Sequence, residues 1–300
     1  MQHKVLQIEN LSKSYGKRRI IDNLSLEVEA GQVYGFLGVN GAGKTTTIKM
    51  ILGLIKMDEG KIYINGIDAA TKHSEAMERV GGIVESPDLY DYLSGLDNLR
   101  LFARIRKVDK ERINEVVKLV GLEERIKDKV KDYSLGMKQR LGIAVSILHK
   151  PNLLILDEPT NGLDPEGIKE LRTFLKDLAH KENVAIFVSS HLLSEMQLMC
   201  DKVAFIHNGK IAKYDDVKNI TTNKHNVYEI EVDDIHLGYN ILNKIAKCEI
   251  SGKLLIVEYE SNISNLIKKL LEKNMEVLSW NKKENTLEEE FFNVIGDESK

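Results

Sequence analysis

The string Gly38-Val39-Asn40-Gly41-Ala42-Gly43-Lys44-Thr45 has the residue types that a phosphate cradle needs. Glycines let backbone N–H groups approach phosphate oxygens and take positive φ. Lys44 can reach β- and γ-phosphates, and the Thr45 hydroxyl suits Mg²⁺. The string follows an apolar run, Val33–Leu37, and opens helical spacing from Thr45 to Ile55, so a helix N-terminus adds partial positive charge. A second string, Leu153-Leu154-Ile155-Leu156-Asp157-Glu158, reads as a central strand that delivers two carboxylates at its carboxyl end. Asp157 suits holding Mg²⁺ through water, and Glu158 suits orienting or deprotonating an attacking water. Alone, such a run is usually a strand meeting solvent. Beside a phosphate cradle it implies nucleoside triphosphate hydrolysis. A guanine reader, Asn-Lys-x-Asp, is absent: the nearest string, Asn223-Lys224-His225-Asn226, lacks the Asp, so adenine is expected.

The elements that position these residues alternate in type. Short strands are expected at Val5–Ile8, Arg19–Ile21 and Ser25–Val28, and again at Leu153–Leu156, Ala185–Ser189 and Val203–Ile206. Helices are expected at Leu99–Ile105, Arg112–Val120, Met137–Leu148 and Pro165–His180. Apolar strands alternating with helices predict a buried, largely parallel sheet. After Ile211 the chain turns polar, and the tail then reads β-α-β-β-α-β, the ferredoxin-like order, followed by a helix at Leu287–Val294. The expected domains are 1–220, with a helical subdomain at about 86–150, and a small α+β domain at 225–300.

The 300 residues are 42% hydrophobic and 30% charged, which fits about two globular domains. The net charge of −3 argues against coating nucleic acid through bulk charge. Cys200 and Cys248 are too few for a metal cage or a disulfide framework and fit a reducing compartment. Lys4 and Glu9 break the first apolar pattern, so no secretory signal is expected. The longest mainly apolar stretch, Leu141–Leu148, is far below the ~18 residues of a membrane helix, so any membrane role needs another subunit's spans.

Tyr133-Ser134-Leu135-Gly136-Met137-Lys138-Gln139-Arg140 resembles the Leu-Ser-Gly-Gly-Gln signature of ATP-binding-cassette (ABC) ATPases. Other strings match that family in order: Tyr15 at the adenine-stacking position, Glu85 at the Q-loop position, Pro159–Asp164 at the D-loop, Ser189-Ser190-His191 at the switch histidine, and Gly209-Lys210-Ile211 in the following hairpin. The resemblance covers about residues 3–215 and implies an ABC-type P-loop fold, a RecA-like core with antiparallel β and helical subdomains. It implies ATP and Mg²⁺ as cofactors. Catalysis would fall to Glu158, His191 and Lys44. Nucleotide contacts would come from Tyr15, Gly38, Asn40, Gly41, Ala42, Gly43, Lys44, Thr45, Thr46, Glu85, Ser134, Gly136 and Asp164, and metal contacts from Thr45, Glu85 and Asp157. Ser134 and the Gly136 N–H, at the start of a helix near Met137, would reach ATP across a head-to-tail homodimer.

Leu135, Met137 and Glu85 depart from the common pattern, where Gly, Gln and Gln are usual. With Glu85-Ser86-Pro87-Asp88-Leu89-Tyr90 and the terminal Thr286-Leu287-Glu288-Glu289-Glu290-Phe291-Phe292, they resemble the bacitracin-resistance and lantibiotic-immunity branch. The branch implies expulsion of antimicrobial peptides through separate permease subunits, with this chain peripheral on the cytoplasmic face of the membrane and no nucleic-acid partner. An ionised Glu85 near Glu158 and a γ-phosphate would suffer repulsion, so it is expected to ligate Mg²⁺, to stay protonated, or to swing outward to a basic permease residue. The rival reading is a soluble ABC ATPase of translation or DNA repair, but such proteins usually carry two cassettes or long insertions. A sensor role for the tail finds no recognisable pocket in 227–300.

Overall fold

Three strands, Val33–Leu37, Leu153–Asp157 and Ala185–Ser190, are buried at every position. Only a sheet covered on both faces accommodates such runs. The computed structural model, which describes residues 3–222, 226–283 and 285–297, places them at the centre of a six-stranded sheet. Its order is Lys210–Asp216, Lys202–His207, Val33–Leu37, Ala185–Ser190, Leu153–Asp157 and Val80–Ile83. The first two strands pair antiparallel and the remaining pairs are parallel. The carboxyl ends of the three central strands therefore lie side by side.

A second sheet is antiparallel, in the order Arg18–Glu29, Lys4–Tyr15, Glu59–Ile64 and Ile67–Asp68. The runs expected separately at Arg19–Ile21 and Ser25–Val28 are one strand. Asn10 and Asn23, with φ of 51° and 55°, sit where the pairing register shifts, so asparagines that look like strand ends are bulges inside continuous strands.

The helices start where side chains cap them. Ser94, Asp109, Ser134 and Asp164 each accept a backbone N–H from the first turn of the helices Gly95–Arg106, Lys110–Leu119, Leu135–Ile147 and Pro165–Glu182. Capping by Ser134 starts its helix at Leu135, two residues before the expected Met137. The edge strand Val80–Ile83 has no clear pattern because two of its residues are glycines. A Cβ at Gly81 would lie 2.2 Å from the Ser146 carbonyl, so this strand and the Leu135–Ile147 helix touch backbone to backbone.

The chain divides into two compact units, one running to Val217 and resumed at Phe291, the other Lys218–Glu290. The second unit has a four-stranded antiparallel sheet in the order Lys247–Ser251, Leu254–Tyr259, Asn226–Val232, Val277–Lys283, with helices at Ile235–Leu242 and Ile263–Leu271. This is the ferredoxin-like topology, closed around its own core of Ile230, Leu242, Leu255, Val257, Leu266 and Leu270. Asp234 accepts from the N–H groups of His236 and Leu237, which sets the helix start four residues before the expected Tyr239. Phe291 departs from the expected tail domain: it is 3% exposed and packs edge-on against Phe205, 5.5 Å away, in the first unit. Asn223-Lys224-His225, where the expected interdomain link falls, lie outside the described residues. Both cysteines are free and buried. Among the described residues no helix is long and apolar enough to cross a membrane.

His149 follows the Leu135–Ile147 helix, with Nε2 3.0 Å from the Val80 carbonyl oxygen. Burial, helped by Arg106, holds its pKa below the usual 6.5. The unfolded chain therefore takes up this proton more readily, and the stability His149 contributes is present above about pH 6.5 and lost as the pH falls below it. His149→Gln is expected to flatten that part of the stability profile, read as urea midpoints of variant and parent at about pH 7.5 and about pH 5.5.

Candidate functional site

The strand Val33–Leu37 leads into the loop Gly38–Gly43 and then the helix Lys44–Ile51. The turn works because Gly43 takes φ 110° at the helix start, and a Cβ there would lie 2.4 Å from Ile21 Cδ1. Lys44 folds over the loop and is 6% exposed. Its ammonium donates to the carbonyls of Gly38 at 2.7 Å and Val39 at 3.4 Å and lies 3.2 Å from Glu158 Oε1. A buried cation needs such partners, since desolvation without them is costly.

The adjacent strand ends supply the acids. Asp157 is 2% exposed, accepts from Thr45 Oγ1 at 2.9 Å, and accepts from Ser189 Oγ at 2.6 Å. Asp157 and Ser189 are register partners across two parallel strands, which brings the hydroxyl opposite the carboxylate. Ser189 is a positioning residue that the sequence reading placed only within its string; its signal was its place two residues before His191. Glu158 has φ 49°, and its N–H donates to the Ser189 carbonyl at 3.2 Å and to its hydroxyl at 3.1 Å. Its side chain bridges Lys44 and His191, whose Nδ1 is 2.8 Å from Oε2.

These groups border an open groove of about 420 Å³ lined by Tyr15, Asn40, Gly41, Gly43, Lys44, Thr45, Thr46, Glu158 and His191, together with Arg18, Ile20 and Asn161. Arg18 and Ile20 had no motif to mark them and enter only because the first hairpin folds over the loop. Tyr15 is 54% exposed, with the Lys13 ammonium 5.5 Å from its ring centre. Such a ring can stack a base while Lys44 faces anions. Thr45 Oγ1 and the Asp157 carboxylate are hard oxygen donors, and Mg²⁺ commonly takes one or two protein oxygens and completes its shell with phosphates and water. Among the described residues no cluster of three or more His, Cys, Asp or Glu suited to a metal occurs.

The remaining candidates lie elsewhere. Ser134, Gly136 and Asp164 line a separate groove of about 580 Å³ with Leu135, Gly162 and Leu163. There the Ser134 hydroxyl accepts from the Met137 N–H at 3.3 Å, and Asp164 accepts from the Gly167 N–H at 2.9 Å. Glu85 faces Lys49, whose Nζ is 2.8 Å from Oε1, and not Glu158. The bond from Lys49 holds the Glu85 carboxyl below the usual carboxylate range, opposite in direction to the raised pKa expected of it beside Glu158 and a phosphate. Its outward swing finds a partner within its own chain. Ala42 is buried inside the loop. Phe291 lines a small cavity of about 210 Å³ with Val39, Asn40, His191 and Leu193, a neighbour of the site that the sequence reading assigned to the other domain.

Residues 21–161 match the family model described as ABC transporter. The uncharacterized ABC transporter ATP-binding protein YhcH of Bacillus subtilis (strain 168) is 44% identical over 98% of this chain and 96% of its own length. The bacitracin transport ATP-binding protein BcrA of Bacillus licheniformis is 40% identical over 97% of both chains. The lantibiotic transport ATP-binding protein SrtF of Streptococcus pyogenes is 43% identical over 72% of this chain and 94% of its own. A solved ATP-binding subunit of an ABC transporter superposes with a TM-score of 0.65 at 30% identity, over 72% of this chain and 91% of that one.

Ser189→Ala removes a donor from a buried carboxylate oxygen. It is expected to cost about 1–3 kcal/mol in unfolding free energy. Chemical denaturation checks this, and equilibrium binding of an ATP analogue with Mg²⁺ should weaken in the same variant.

Proposed function

The chain belongs to the ABC transporter family of ATP-binding proteins, and from that premise we propose that it hydrolyses ATP to expel an antimicrobial peptide, bacitracin- or lantibiotic-like, through separate membrane permease subunits. The observation that carries the hydrolytic part is Glu158 held between Lys44 and His191. In this reading a bound phosphate becomes the partner of Lys44, which frees Glu158 to orient or deprotonate water while His191 holds its other oxygen. Thr45 and Asp157 would hold Mg²⁺, which would supply charge neutralisation on the phosphates. The peptide part rests on relatives whose printed names give bacitracin and lantibiotic transport.

As the family resemblance implies, two copies would act head to tail, with Ser134 and Gly136, which border a groove apart from Lys44, serving a partner's nucleotide. The chain would work at the cytoplasmic face of the membrane on its permease. We read the unit that runs to Val217 and resumes at Phe291 as the cassette and Lys218–Glu290 as an accessory domain.

Glu158→Gln keeps the side chain's shape and removes the base. ATP turnover is expected to fall by at least ~10²-fold while ATP binding persists and a closed dimer accumulates with Mg²⁺. Size exclusion with ATP, beside a phosphate-release assay, checks both. Gly136→Asp is expected to leave ATP binding by one subunit intact and to abolish cooperative turnover. Cells carrying the permease and either variant should lose resistance in a panel of peptide antibiotics; unchanged resistance to every peptide would count against the transport reading.

A further inference from the structure

Asp157 and Glu158 stand at the start of the helix Lys44–Ile51, and a third carboxylate, Glu85, pairs with Lys49 in its last turn. Register brings Ile83 opposite Leu156 on neighbouring parallel strands, so Glu85 leaves the sheet beside Glu158, one strand away. Strands in a sheet lie ≈ 4.7–4.9 Å apart, so these chain exits are close neighbours. The same end of the sheet must accept a polyanion. Two of the three acids have clear counterparts. Asp157 is held by the hydroxyls of Thr45 and Ser189, and Glu158 faces Lys44 and His191.

Among the described residues Glu85 pairs with Lys49 alone: the ion pair is 2.8 Å long, with the side chains 67% and 35% exposed. Lys49 lies four residues after Thr45, on the same face of the helix. Glu85 itself takes φ 66°, an uncommon conformation for a residue with a Cβ. The chain turns at once, with the Ser86 N–H donating to the Val84 carbonyl at 2.8 Å. Two residues on, Pro87 sits where a Cβ on Gly142 would come within 2.5 Å of it, against the Leu135–Ile147 helix. The short span from Glu85 to Pro87 thus connects the phosphate-loop helix to the helix capped by Ser134.

We propose that Lys49 is a positioning residue for Glu85: its ammonium is the counter-charge that lets a glutamate stand at this exit and turns its carboxylate away from Glu158 and the phosphate site. The inference rests on the ATPase reading above. Without Lys49, the Glu85 carboxylate is an uncompensated negative charge beside the place where phosphates bind, and it opposes them. With neither charge present, the opposition disappears. Binding and rescue therefore separate this role from a direct contact of Lys49 with the nucleotide.

The test measures equilibrium binding of a fluorescent ATP analogue to the full chain, in EDTA and again with Mg²⁺, for the parent, Lys49→Met, Lys49→Arg, Glu85→Gln and the Lys49→Met/Glu85→Gln double variant. Lys49→Met is expected to bind roughly two- to fivefold more weakly, the range of an exposed ion pair. Lys49→Arg should stay near the parent, and the double variant should return to the Glu85→Gln value. A Lys49→Met variant that binds like the parent, or a loss that Glu85→Gln does not relieve, overturns the inference alone. A parent that binds no ATP analogue overturns the ATPase reading and this inference with it.

Discussion

A buried ammonium that must be neutralised sets the terms for this molecule. Lys44 is almost fully enclosed, and its charge is met by two loop carbonyls and one carboxylate. Those partners come from separate stretches of chain, so the phosphate loop and the Asp157–Glu158 strand end must be held within a hydrogen bond of each other. The loop can make this approach only because Gly43 adopts a backbone conformation closed to other residues and leaves room for Ile21. A charge-assisted contact of this kind is strong when paired and costly when broken. It also resembles what the site is built for: Glu158 occupies, toward Lys44, the place that an anionic phosphate would contest.

The parallel sheet makes that meeting possible. Parallel pairing aligns the carboxyl ends of the central strands, so Leu37, Asp157 and Ser190 all open to one edge. Burial on both faces makes the sheet stiff, and Phe36 and Phe187, both fully buried with rings 5.3 Å apart, lock its middle. On that base Asp157 is held by short hydroxyl contacts and Glu158 by Lys44 and His191, while the groups expected to meet a partner subunit are left on a different groove. The arrangement places binding chemistry on rigid strand ends and leaves the signature helix, capped by Ser134, beside an open surface.

Charge balance also explains a feature that separates this chain from the common pattern. Negative side chains near a phosphate site are unfavourable unless each has its own cation or donors. Hydroxyls serve Asp157, Lys44 and His191 serve Glu158, and Lys49 serves Glu85. The second unit stands apart in construction: it closes its own core and carries none of the groups of the Lys44 groove.

Much of the site was legible in the residues because its chemistry is local. A glycine loop between a strand and a helix, or two acids at the end of an apolar run, works through neighbours in sequence, so Lys44, Thr45, Asp157 and Glu158 could be named from spacing alone. The ferredoxin-like order of the tail was legible too, since its strands alternate and its helices keep one apolar face. What tertiary structure decided were contacts between distant segments. Sequence could not show that Ser189 would face Asp157, because that depends on register between two strands. Nor could it show that Glu85 would turn to Lys49, which depends on where a strand exit meets a helix face. Asn10 and Asn23 looked like strand ends until pairing carried the strands through them as bulges. The Val80–Ile83 strand stayed hidden for a related reason: its glycines answer to a neighbouring helix backbone, and no pattern within the strand records that demand.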